Sequence, residues 1–389
     1  MEVRVKRSNS EEEEDFHFVI KSPPKSSFIK FMHKFTRPFF NEVTWYEDLV
    51  PVLELANGKG CMEEKSPQCY FSYSNYYMQE SGGQGPGCCE RKFPWFCYVP
   101  CKPSEVGILI LENIKYRKGA YKMFDKSKPM DLNHVNLIMK ELANFHGMWL
   151  RYKFMAQSGE LANKIRRGSD GHPEVSPISW AEFERRHNTQ KRMPKVVYTQ
   201  LKKVAKRTVL RILSQCGSAE EENAEKCRQF FNHTATRWLN EYMREKAQPV
   251  YTLCHGDFWS NNILFSYGED ASSPESLVII DYQLINVGNP CYDLVYFLYL
   301  NTDLAFRDAH LQSCLKLYYE TFSSYFDDKL KYSFEEFLED FHRFKNIGFT
   351  TACSVMPNIL SDNQIDLEGN PLTMFSELQR KQVCIESIS

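Results

Sequence analysis

Val3 and Val5 alternate with polar neighbours over Glu2–Arg7. After a Ser/Asn/Glu turn, Phe16, Phe18 and Ile20 alternate again up to Lys21-Ser22-Pro23-Pro24. A period of two marks half-buried strands, so this pattern predicts a hairpin with a polar, acidic tip. Pro23 and Pro24 end the second strand because proline cannot donate to a ladder. The period then changes. Phe39, Phe40, Val43, Tyr46 and Val50 recur every three to four residues, which predicts an amphipathic helix from about Arg37, with Thr36 able to cap it and Pro38 tolerated in its first turn. Pro51 is expected to break or kink that helix. From Asn57 to Ser104 neither period holds, and the stretch reads as irregular, with a flexible composition at Gly82–Gly87. The apolar run Gly107–Leu111 restores order as a buried strand.

Beyond it the chain turns helical. Asp131 can cap a helix whose Leu132, Val135, Met139, Leu142, Phe145 and Trp149 form one stripe. His146 lies beside that stripe and is expected to be a buried histidine with its hydrogen bonds satisfied. Residues 165–195 are polar and read as a connection. Val197, Leu201, Val204, Ala205 and Ile212 line a helix whose Lys202, Lys203, Lys206 and Arg207 form a solvated face. Another helix is expected over about Glu222–Lys246, then an extended Val250–Leu253, then helices near 291–302, 306–326 and 334–350. No internal repeat is evident. Strands first and helices afterwards make this an α+β chain.

Composition narrows the picture little. The 389 residues are 42% apolar and 25% charged, as in ordinary globular proteins, and suit two lobes. A net charge of −2 gives no field that would favour nucleic acid or an anionic membrane. The N-terminus, acidic at Glu11–Asp15, is unlike a signal peptide, and no run approaches the ~20 apolar residues of a membrane span; a cytoplasmic location is the expectation. Thirteen cysteines, six of them (Cys61, Cys69, Cys88, Cys89, Cys97 and Cys101) close together, invite a zinc reading. Paired CxxC knuckles are missing, so free thiols in a reducing compartment fit better.

The chemistry concentrates in Cys254-His255-Gly256-Asp257-Phe258-Trp259-Ser260-Asn261-Asn262-Ile263-Leu264-Phe265, followed by Leu277-Val278-Ile279-Ile280-Asp281-Tyr282-Gln283. The segments 262–266 and 277–280, separated by a turn-rich stretch, should pair as a hairpin that brings Asp257, Asn262 and Asp281 together. Phosphoryl transfer needs a carboxylate to take or orient the acceptor hydroxyl and hard oxygen ligands for magnesium, which these three side chains supply. His-x-Asp-x-x-x-x-Asn and a later Asp after a hydrophobic strand is the arrangement of protein-kinase catalytic loops. Here Gly256 stands in place of Arg, and Asp281 is followed by Tyr-Gln rather than Phe-Gly. Alone, Asp257 would read as a cap and Asp281 as a turn residue; the order and spacing are what set them apart. The Gly82–Gly87 stretch has no strand-then-helix frame and no following Lys-Ser/Thr, so it is not a phosphate loop.

His-Gly-Asp-x-x-x-x-Asn with Ile-Asp-Tyr-Gln resembles the aminoglycoside phosphotransferase and choline kinase group, and within it the ecdysteroid kinase-like family. The resemblance extends to Asp293–Leu298, Glu141–Gly147, Phe18–Pro24, Phe39–Pro51 and Leu109–Ile114, nearly the whole chain. It implies a two-lobed, protein-kinase-like fold, with a small β-rich nucleotide lobe over 1–114 and a larger, mainly helical catalytic and substrate lobe over 115–389. By position it implies that Lys21 holds the ATP phosphates and pairs with Glu42, and that the backbone of Glu112, Asn113 and Ile114 meets the adenine. It makes Asp257 the catalytic base, puts Asn262 and Asp281 on Mg2+, and has His255 and Asp293 brace the loop. The implied acceptor is a hydroxylated small molecule, with a steroid as one implied substrate, rather than nucleic acid or membrane; oligomeric state is not implied.

Two features depart from the family. Only one strand precedes the lysine strand, so the first strand and the loop that covers the phosphates are expected to be missing. The Cys/Gly-rich segment near 72–105 reads as an insertion. A shortened nucleotide lobe would position phosphates less well. The alternative class is therefore a weak or inactive relative that binds a steroid or other small ligand, and the tyrosines Tyr292, Tyr296 and Tyr299 could equally be core or acceptor wall.

Overall fold

The computed structural model describes residues 2–6, 13–23, 38–74, 107–126, 128–161, 195–214, 221–234, 250–269, 272–326 and 329–359. The expected N-terminal hairpin is present as β1 (Glu2–Lys6) antiparallel to β2 (Glu13–Lys21), with Val3 opposite Phe16. Two further strands, β3 (Cys69–Ser74) and β4 (Gly107–Glu112), complete a four-stranded sheet in the order β1-β2-β4-β3. Strand β3 lies inside the stretch that reads as irregular. A register shift between Cys69 and Phe71 breaks the period of two, and Tyr70, Phe71 and Tyr73 stay exposed on this edge strand, so no alternation survives in the sequence.

The helix over α1 (Pro38–Thr44) and α2 (Val50–Asn57) runs past Pro51 instead of ending there. Between the two lies a π turn, Trp45–Leu49, in which the Val50 amide reaches back to the Trp45 carbonyl. The widened turn restarts the helix with Pro51 in its first turn, where no amide hydrogen is required. All of α1 is buried, Glu42 included.

Helix α3 (Leu132–Ser158) begins at Asp131, whose carboxylate accepts from the amides of Asn133 and His134, and its predicted stripe is buried from Val135 to Trp149, with Leu132 half-buried. Helix α4 (Lys195–Leu213) follows, then α5 (Glu221–Gln229), continued to Thr234 as a π turn. The strands β5 (Lys122–Met123), β7 (Ile263–Tyr267) and β8 (Pro274–Ile279) form a small sheet, and β6 (Thr252–Cys254) pairs with β9 (Asn286–Gly288). The expected 262–266/277–280 hairpin is present, with Ile263 opposite Ile279. Helices α6 (Cys291–Asn301), α7 (Leu304–Ser323) and α8 (Phe334–Ile359) close the fold. No described helix is long and apolar enough to cross a membrane. Thr36, Gly82–Gly87, Cys88, Cys89, Cys97, Cys101 and all but the last residue of the connection 165–195 lie outside the described residues, as do 235–249 and most of 72–105.

One apolar cluster runs from α1 and α2 through α3 to β7, β8 and the last three helices. Trp45, wholly buried, stacks on Tyr282 with ring centroids 3.9 Å apart and planes at 11°. That contact ties the π turn to the loop after β8. Truncating either ring would cost about 3–5 kcal/mol and loosen the site as well as the core.

Candidate active site

The site grows out of the β7–β8 hairpin. The amide of Ile280 donates to the Asn262 carbonyl (3.0 Å), so the residue before Asp281 is bonded to Asn262 itself. Asn262 in turn donates its side-chain amide to the carbonyl of Asp257 (2.8 Å) and to its carboxylate (3.1 Å). The histidine ring bridges the same elements. His255 Nδ1 accepts from the Asp257 amide (3.3 Å), which places the ring proton on Nε2, and Nε2 donates to the Ile280 carbonyl (3.0 Å). The hairpin thus brings Asp257, Asn262 and Asp281 into one place, as the spacing predicts.

Below the loop, Asp293 is fully buried in the first turn of α6. It accepts from the His255 amide (2.6 Å), the Gly256 amide (3.0 Å) and His146 Nε2 (3.1 Å). Burial holds the His146 pKa down against the pull of Asp293. The neutral ring gives its Nε2 proton to Asp293 and takes the Tyr318 hydroxyl on Nδ1 at 2.6 Å. His146 is the satisfied buried histidine its position predicts. His146, Cys254 and Asp293 bring potential ligand atoms within 4.8 Å of one another. Each is already bonded within the protein, so the group reads as a brace rather than a metal centre.

Gly256 has φ +83°, and a Cβ there would lie 2.7 Å from Asn286 Nδ2, 2.9 Å from the Leu284 carbonyl carbon and closer still to its oxygen. Neither arginine nor any other side chain fits without moving the loop after Asp281. Asp281 itself takes φ +66°, a left-handed conformation that is costly for a residue other than glycine and fixes where its carboxylate projects.

On the strand side, Lys21 Nζ donates to Glu42 Oε1 (2.7 Å) and Oε2 (3.0 Å), and to Asp281 Oδ1 (3.0 Å). Burial works against the Lys21 ammonium, but the two carboxylates outweigh it and its pKa is raised. Burial pushes Glu42 up to about 7 even with Lys21 beside it. Gln283 Nε2 holds the other Asp281 oxygen (3.1 Å), and Asn41 Nδ2 holds the Gln283 carbonyl (3.0 Å), so α1 is bonded to the Asp281 loop.

Two results add to the sequence reading. The amides of Glu112 and Asn113 are engaged by the carbonyls of Gln68 and His17, both at 2.9 Å, and the Glu112 carboxylate is paired with Arg117. Two of the amides of the Glu112–Ile114 backbone are therefore taken within the protein, and Ile114 opens a 3-10 turn. The second is Tyr296, whose hydroxyl donates to Asp257 Oδ1 at 2.7 Å. Helical spacing left it undecided between core and site; its place one turn after Asp293 was the available signal. Tyr299 instead packs under Arg307, 4.8 Å from the ring centroid.

The profile of the Ecdysteroid kinase-like family matches residues 1–332 of the 389. No curated protein matches the sequence. Among solved structures, the chain is similar to the amicoumacin kinase hAmiN, in complex with AMP-PNP, Ca2+ and Ami, at 10% identity and a TM-score of 0.38, over 97% of this chain and 86% of that one. It is also similar to a microcompartment-associated aminopropanol kinase, at 12% identity and a TM-score of 0.34, over 100% of this chain and 91% of that one. Likeness at those scores is too loose to assign a role to any residue.

Proposed function

The chain belongs to the ecdysteroid kinase-like family, and from that premise we propose that it is an ATP-dependent small-molecule kinase that phosphorylates a hydroxyl of an ecdysteroid or a similar hydroxylated metabolite. The observation that carries the reading is the meeting of two sequence-distant halves: Lys21 and Asp281 at 3.0 Å, with Asp281 tied through Ile280 to Asn262 and so to Asp257. A structural ion pair alone would not require the Asp257–Asn262 half beside it.

The donor set suits Mg2+, a hard cation that takes carboxylate and amide oxygens. Asp281 and the side-chain Oδ1 of Asn262 are the atoms that would hold it; the Asn262 side-chain nitrogen is directed at Asp257. When bound, the ion neutralises phosphate charge. Lys21, held by Glu42, is the cation for the ATP phosphates. Val19 shares the face of β2 with Lys21 and is 36% exposed, an apolar surface suited to a purine, whose ring edge the backbone of Glu112, Asn113 and Ile114 would meet. Asp257 takes the proton of the acceptor hydroxyl as the hydroxyl oxygen bonds to the γ-phosphorus and the bond to the β–γ bridging oxygen breaks with its electron pair leaving on ADP, while His255 and Asp293 hold the loop in place.

Ligand that binds only the folded state raises its melting temperature. The reading predicts a stabilising shift with ATP that requires Mg2+, absent in Asp281→Asn and reduced in Lys21→Met. A wild-type protein indifferent to Mg-ATP at millimolar concentration would overturn it.

A further inference from the structure

The Tyr296 hydroxyl donates to Asp257 Oδ1 at 2.7 Å, while Oδ2 receives the Asn262 amide at 3.1 Å. Both oxygens of the proposed base are therefore engaged within the protein. The contact Tyr296 makes is the one an acceptor hydroxyl must make before its proton can move, an O–H directed at the carboxylate within about 2.6–3.2 Å. The phenol is fixed from behind: α6 carries it one turn beyond Asp293, whose carboxylate holds the His255 and Gly256 amides that set Asp257 in place. Burial and the Asp257 charge keep its proton on, so it remains a donor.

We infer that Tyr296 is a specificity-determining and positioning residue, which aims the Asp257 carboxylate at an acceptor hydroxyl and keeps that carboxylate from activating water. This rests on the kinase reading above. In the competing reaction a water oxygen bonds to the γ-phosphorus, the bond to the β–γ bridging oxygen breaks with its electron pair leaving on ADP, and the water proton passes to Asp257. With Oδ1 occupied by the phenol, a water has no second fixed partner on the base. A bulkier acceptor, held by its own contacts, can approach the remaining lone pair or displace the phenol.

Tyr296→Phe removes one oxygen and keeps the ring, and Tyr299→Phe, on the Arg307 side of the same helix, is the control. ADP and inorganic phosphate are measured with Mg-ATP alone, and phosphorylated product with an ecdysteroid acceptor. In Tyr296→Phe we expect acceptor phosphorylation to fall on the order of tenfold in kcat with little change in acceptor KM, as for loss of a contact that matters at the transition state. Acceptor-free hydrolysis should hold or rise, so that ADP formed per acceptor phosphorylated climbs severalfold; Tyr299→Phe should match wild type. A merely structural tyrosine would lower both reactions together and leave their ratio unchanged, which would overturn this inference and leave the kinase reading standing. Wild-type protein that turns over ATP with neither water nor acceptor would overturn both.

Discussion

Replacing Gly256 by alanine adds one methyl group beside the proposed base and tests how tightly the loop is specified. Two costs can be separated. At φ +83° any Cβ carries the left-handed penalty, about 1–2 kcal/mol. The new carbon would also stand 2.7 Å from Asn286 Nδ2 and 2.9 Å from the Leu284 carbonyl carbon, where ordinary contact begins at about 3.5 Å. The obstacle is backbone that itself bonds Asn286 (3.1 Å), so the loops must part by roughly 1 Å, and overpacking of that kind costs about 1–3 kcal/mol. Together Gly256→Ala should lose about 2–5 kcal/mol in urea unfolding. Gly159, at φ +79° with nothing within 4 Å of its Cβ position, isolates the conformational part, and Gly159→Ala should lose only about 1–2 kcal/mol. Since Gly256 adjoins Asp257, a shift near 1 Å should also lower kcat about a hundredfold while Gly159→Ala leaves it unchanged. Equal stability losses in the two variants, with full activity in Gly256→Ala, would refute the reasoning.

Further outcomes follow from the same geometry. Asp293→Ala leaves the His255 and Gly256 amides and His146 without their buried acceptor and should cost about 3–5 kcal/mol in urea unfolding; a loss under about 1 kcal/mol would show that the brace is dispensable. Because the folded protein holds the Glu42 proton up to about pH 7, against 4.5 unfolded, the stability from that protonated carboxyl is complete below about 4.5 and is lost as pH rises through about 7. Glu42→Gln should flatten that part of the stability–pH profile, and an unaltered profile would contradict the assignment. Above that pH the ionised Glu42 can hold Lys21, so Mg-ATP affinity should rise as pH passes through 7 in wild type and not in Glu42→Gln.

The hairpin that assembles the acidic site was legible because both strands carry continuous apolar runs around a polar turn, and α3 because its stripe and its Asp131 cap agree. Local patterning could not reach further. Lys21 and Glu42 lie 21 residues apart and meet only in the folded chain, so in isolation they look like surface charges. Strand β3 is written in exposed aromatics across a bulge, a pattern without a period. Pro51 reads as a break or kink, and the π turn that accommodates it has no signature in composition. The reason for Gly256 is a carbonyl 28 residues away, and the role of Tyr296 depends on which face of α6 meets the catalytic loop.

The central claim is that Asp257, working beside Asn262 and Asp281, moves a phosphoryl group to a hydroxyl. Its most direct measurement is Mg-ATP-dependent phosphorylation of an ecdysteroid and a panel of hydroxylated metabolites, read by mass spectrometry for wild type and for Asp257→Ala. The account predicts a product heavier by one phosphate with wild type and a loss of two orders of magnitude or more in the variant, on the order of 10²–10⁴-fold for removal of a general base. Binding without turnover in both proteins, or equal turnover in both, would contradict it.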